Sequence, residues 1–103
     1  MPEGAVPEAV VVVAGAFEGV AADRWERLIG EAMALHPRRL VVDLRDSPLV
    51  DAAAIAILLH AHRAMIHAGG RLTLRGPVDR VLRILQLARV DQVFGIEDAA
   101  VPA

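Results

Sequence analysis

The chain reads as a single α/β domain in which short apolar strands alternate with amphipathic helices. Three observations lead there: four short strand-like apolar segments, apolar residues at helical spacing between them, and glycine or proline near most junctions. This order argues for a mostly parallel or mixed sheet of about four strands, joined by right-handed crossovers and packed by three to four helices. At 103 residues one core suffices, and folding should bury roughly 60 to 70% of the surface the unfolded chain exposes.

Residues 1–8 hold two prolines and two glutamates, a poor strand, and are expected to form a loose arm or at most a short edge pairing. The β-branched run over 10–14, ended by Gly15, predicts a first strand buried on both faces. Over 21–35, Trp25, Leu28, Ile29, Ala32 and Met33 recur at helical spacing, with Asp23, Arg27 and Glu31 paired on the outer side and Pro37 as the stop. Residues 39–44 predict a second strand. A connection with Ser47 and Pro48 then opens at Asp51 into a helix over 52–68, with Ile55, Leu58, Leu59, Ala61, Met65 and Ile66 toward the sheet. Gly69 and Gly70 supply the left-handed turn that ends it. Residues 71–75 alternate Arg, Leu, Thr, Leu, Arg, a third strand. Gly76 and Pro77 should start a third helix with Val78, Val81, Leu82 and Leu85 as its buried stripe, and Arg80 and Arg83, with Arg75 nearby, as a basic patch. A last strand over 93–96 precedes a frayed tail, 97–103.

Composition narrows the function. At 55% hydrophobic and a formal charge of −2, the chain is neither disordered nor built to bind nucleic acid. All eleven basic residues are Arg and nineteen residues are Ala, the mark of GC-rich coding. Cysteine is absent, which removes disulfides, thiolate nucleophiles and Cys-ligated metals. The N-terminus lacks the basic start of a signal peptide, and its apolar run over 9–17 is too short to span a bilayer, so a cytoplasmic protein without direct membrane insertion is expected. With no Lys, no Tyr, one Ser (Ser47) and one Thr (Thr73), nucleophiles are nearly missing, and a non-enzymatic role without cofactor or metal is expected.

The working site is expected at the start of the second helix. Asp51 fits the cap, accepting from free backbone N–H groups at the positive end of the helix dipole and offering charge. Ala52, Ala53 and Ala54 give the first turn almost no side chains, so a partner can approach the backbone closely. The partner-binding set is therefore Asp51, Ala52, Ala53 and Ile55, with Ser47, Pro48 and Leu49 beside them. Two sharper readings compete. Asp43, Asp46 and Asp51 cluster at one strand end, where open α/β sheets bind ligands, and three carboxylates suit Mg²⁺ or phosphate-ester chemistry. The preferred reading is a helix cap with two solvated loop acids. His60 and His67 share a helix face, but seven residues separate them by about 10 Å along the axis, too far for one ion.

Several strings together resemble the STAS domain family, the module of bacterial anti-sigma factor antagonists and of the cytosolic ends of sulfate transporters. They are Gly15-Ala16-Phe17-Glu18, where the family has Gly-Glu-Leu-Asp; VVDLRDSPLVD over 41–51; Gly69-Gly70 before a strand; and LARVDQVFGI near the end. The resemblance implies a STAS-like, SpoIIAA-like α/β domain. It also implies a partner switch in transcriptional regulation: the unphosphorylated domain binds an anti-sigma factor of the serine kinase type, and phosphorylation at the helix start drives it off. The family motif, Asp-Ser-Ser-Gly, begins at Asp51, so Ala52 occupies the phosphoacceptor position and cannot be phosphorylated. Nucleotide binding, associated with the family, is not carried over without those hydroxyls. Ser47 is the one nearby hydroxyl, a minor candidate for a substitute. Arg89 stands where relatives carry a helix-ending glycine, and the family's first strand is shortened or absent. A switchless binding domain is the expectation, with a homodimer possible. A structural accessory subunit of a lipid-transport or stress-signalling complex is the alternative, since that role needs no phosphoacceptor.

Overall fold

The computed structural model describes residues 6–98. Strand and helix alternate strictly: β1 (Glu8–Val12), α1 (Gly19–Met33), β2 (Arg39–Asp43), α2 (Ala52–His67), β3 (Arg71–Arg75), α3 (Asp79–Leu87) and β4 (Gly95–Glu97). The four strands lie in sequence order and every neighbouring pair is parallel, so each strand is joined to the next by a crossover that carries a helix.

The register sorts the side chains. Val10 lies beside Val41, and Val41 beside Thr73. One face therefore presents Ala9, Val11, Leu40, Val42, Leu72 and Leu74, and the other Glu8, Val10, Val12, Arg39, Val41, Asp43, Thr73, Arg75 and Glu97. The first face forms one core with Trp25 and Ile29 of α1, Leu58, Ala61 and Met65 of α2, and Val81 and Leu85 of α3. No described helix packs on the second. Hence β1 is not buried on both faces as its composition suggested: Val10 and Val12 are 44% and 48% exposed. The alternation of β1 is concealed because Val serves on either side.

Residues 6–8 make the short edge pairing allowed for the arm, and Glu97, expected in the tail, lies in β4. Val6 and Pro7 accept from the backbone N–H groups of Arg38 and Arg39, since proline lacks a donor but keeps its carbonyl. Glu8 and Glu97 both belong to the sheet. The rest of the expected arm and tail, 1–5 and 99–103, lies outside the described residues.

The junctions show why particular residues stand there. Gly69 takes the left-handed turn at φ +82. Gly70 is needed for space, because an added Cβ would sit 2.7 Å from the Met65 side chain and 2.9 Å from the Arg38 carbonyl. Arg89 adopts φ +60 at the end of α3, the conformation glycine would take without strain. Helix α3 begins two residues later than Pro77 suggests. The N–H of Gly76 donates to the Glu97 carbonyl at 2.7 Å, which holds the loop on β4, and Val78 becomes the exposed residue before the helix and not part of its stripe. Ile66 is exposed too, because the buried row Ala54, Leu58, Ala61, Met65 leaves it about 100° round the helix from Met65.

Candidate functional site

The start of α2 sits on a laced pair of loops. Gly15 N–H donates to the Asp46 carbonyl at 2.9 Å, Phe17 N–H to Leu49 at 2.8 Å, and Asp51 N–H back to Phe17 at 3.2 Å. Phe17 pairs with Val50 in a single parallel bridge, and its side chain is fully buried between the two loops and the core. The β1–α1 and β2–α2 connections thus form one rigid seat at the C-terminal edge of the sheet.

Asp51 caps α2 as expected: its Oδ1 accepts from Ala54 N–H at 2.9 Å. Its other oxygen, Oδ2, accepts from Gly19 N–H at 3.0 Å, at the start of α1. Helix α1 has no side-chain cap of its own, so one carboxylate serves two positive helix ends. Hydrogen bonds to the ionised form, from Ala54 first and Gly19 second, hold the Asp51 carboxyl below the usual range. The charge is engaged with the scaffold, which tempers the expectation that it is offered to a partner.

Of the three alanines, Ala52 and Ala53 are exposed and Ala54 is buried in the core. The bare patch is two residues wide. Pro48 is exposed beside it, and Leu49 and Ile55 are half-buried. Ser47 does not belong to the set. It is fully buried, with Oγ donating to the Leu49 carbonyl at 3.3 Å, so its hydroxyl closes the turn and is open neither to a partner nor to a kinase. Sequence reasoning missed Val20, which is 89% exposed next to Gly19 and so beside Asp51. The only signal for it is a bond spanning 32 positions. A shallow groove of about 480 Å³, lined by Arg45, Asp46, Pro48, Val78 and Arg80, borders the patch toward α3.

The acidic trio does not act as a unit. Asp43 is buried and not a solvated loop acid: Arg45 clasps it, with Nη2 2.8 Å and Nε 3.0 Å from Oδ2. Burial pushes its carboxyl up, but the Arg45 side-chain and backbone donors outweigh burial and hold it below the ordinary value. Asp46 is exposed, and Asp51 is taken by two helix starts. Among the described residues no three His, Asp or Glu converge as metal ligands. His62 packs edge-on against Phe94, ring centres 5.8 Å apart. The basic patch of α3 reduces to Arg80 and Arg83, because Arg75 lies on the open sheet face facing Glu97 and Glu8.

A family model described as Mlab, STAS domain matches residues 4–97. The chain belongs to the STAS domain family. A STAS-domain containing protein of Pseudomonas aeruginosa is 36% identical over 69 residues, 64% of this chain and 65% of that one, so the chain spans about two thirds of this curated relative. A sulfate transporter family protein from Wolinella succinogenes superimposes with a TM-score of 0.76 at 20% identity, over 97% of this chain and 80% of that one. The anti-sigma factor antagonist SpoIIAA in its unphosphorylated form does so with 0.68 at 16% identity, over 92% and 82%. At these identities the structural likeness establishes the STAS fold. No described helix is long and apolar enough to cross a membrane.

Proposed function

We propose that this STAS domain is a non-enzymatic protein-docking module of the anti-sigma factor antagonist type, that it grips its partner through the start of α2, and that no phosphorylation switch acts there. The observation that carries the reading is the exposed Ala52–Ala53 pair on a rigid seat. A phosphate at this place would add about −1.5 to −2 charges to a contact surface. Without a hydroxyl that charge cannot be added, and Ser47, the nearest one, is sealed inside the turn. The partner of this reading is an anti-sigma factor of the serine kinase type, which Ala52, Ala53, Pro48 and Val20 meet as a low, apolar surface.

Titration calorimetry against the serine-kinase anti-sigma factors of the same genome tests it. Binding is expected, unchanged by prior incubation with kinase and ATP, with no phosphate on the chain by mass spectrometry. Ala53→Arg should abolish binding and leave the melting temperature nearly unaltered, because residue 53 is exposed. Stoichiometric phosphorylation, or full affinity in the Ala53→Arg variant, would overturn the reading.

A second reading, an accessory subunit of a lipid-transport or stress-signalling complex, draws on the Mlab description of the matching family and on the likeness to a sulfate transporter family protein. It uses the same surface. It predicts no affinity for any serine-kinase anti-sigma factor and stable copurification with permease or ATPase subunits.

A further inference from the structure

The sheet has two edges, and they are treated differently. At one, β4 is three residues long and ends in Glu97, whose carboxylate is engaged by Arg39 and Arg75. A short, charged edge of this kind discourages pairing with another chain. At the other, β1 is five residues long and continues apolar through Val13 and Ala14, with no lysine, proline or bulge between positions 9 and 14. Among the described residues, the backbone of β1 also leaves a row of groups without a strand partner. Arg39 N–H donates to the Pro7 carbonyl and Val13 N–H donates to the Asp43 carbonyl, so the odd-numbered residues turn their N–H and C=O groups to β2. By alternation Glu8, Val10 and Val12 turn theirs outward, where no described strand lies. Beside this row runs an apolar groove of about 530 Å³, lined by Val10, Val12, Leu28, Ala32 and Leu35 with Glu31 at its rim.

Open backbone groups in a strand-shaped row favour an extended strand as occupant. We infer that the occupant is β1 of a second copy, paired antiparallel about a two-fold axis at Val11, so that two four-stranded sheets join into one. Self-complementarity is the argument. Antiparallel exchange of N–H···O bonds needs outward-facing residues opposite outward-facing residues, and a centre at Val11 places Val10 opposite Val12 of the second copy and Val12 opposite its Val10. Those two residues are the exposed valines of the strand, and β-branched cross-strand pairs stabilise a sheet. Glu8 falls opposite Ala14, so no like charges meet across the strand pair. The surface is separate from the start of α2, so the dimer would present two docking sites.

Light scattering and sedimentation from micromolar to millimolar concentration, with hydrogen exchange on the same samples, test this. The mass is expected to rise toward twice the 11.0 kDa of the chain. The amides of Glu8, Val10 and Val12 should gain protection in step with it, while those of Val11 and Val13, already bonded to β2, serve as the internal reference. The double variant Val10→Lys, Val12→Lys should remain monomeric at every concentration with the melting temperature of dilute wild type, since both positions are exposed in the monomer. A chain that stays monomeric at millimolar concentration overturns the inference and leaves the edge to a strand from another protein. A dimer in which the even-numbered amides exchange freely overturns it as well.

Discussion

The two faces of the sheet are built from the same strands and held by different physics. The covered face is aliphatic throughout and closes against three helices. The open face interleaves valines with Glu8, Arg39, Asp43, Arg75 and Glu97, where Arg39 meets Glu8 at 3.4 Å and Glu97 more closely, and Arg75 reaches Glu97 at 3.7 Å. Yet Val41, in the middle of that face, is as inaccessible as Leu74 on the other. Val41 nonetheless stands outside the core that the helices close, flanked in the sheet by Val10 and Thr73. Burial alone therefore does not measure what a position contributes. Leu74 is walled in by packed helices, and Val41 takes no part in that packing.

Leu74→Ala should show the largest effect, a loss of about 2–5 kcal/mol by urea unfolding, because the helices over it cannot close the cavity. Val41→Ala should cost less, about 1–2 kcal/mol, because the residue stands outside the helix-packed core and loses only two methyl groups. Equal losses at the two sites would erase the proposed distinction between the faces.

Acid unfolding sharpens it differently. Asp43 on the open face and Asp51 at the helix starts both have carboxyls held below the usual range. Their folded-state values lie below the unfolded ones, so the stability they contribute is complete above the ordinary aspartate range near about 3.9 and is lost as pH falls through the lowered values. Asp51→Asn should flatten this acid limb, while Leu74→Ala should shift the whole stability curve down without changing its shape. A pH series of thermal melts distinguishes the two. Arg75→Met, on the open face, should have the smallest effect. Its ion pairs are long, 3.8 Å to Glu8 and 3.7 Å to Glu97, and only half-buried, so they are worth less than about 1 kcal/mol, and the difference from wild type should shrink in high salt.

The elements and their order were legible in the chain because each signal is local. The helical spacing of Trp25, Leu28, Ile29 and Ala32 fixes a helix, and the alternation over 71–75 fixes a strand, whatever else surrounds them. Asp51 as a cap is also local, since its acceptor meets the backbone three residues on. The site was legible only in part. Ala52 and Ala53 are exposed where the motif placed them, but Ala54 is core and Ser47 is sealed in, and nothing in the string DSPLVDAAA separates these outcomes. Val20 and the second bond of Asp51 depend on two loops meeting across 32 positions.

By itself the sequence determined the kinds of element, their order and the absence of a hydroxyl at the helix start, because periodicity, capping and residue type act within a few bonds. Only the tertiary structure decided which face of β1 is covered, which of three alanines meets solvent and which carboxylate is already engaged. Those outcomes follow from which segments pack together, and packing joins residues whose separation along the chain carries no trace of their contact.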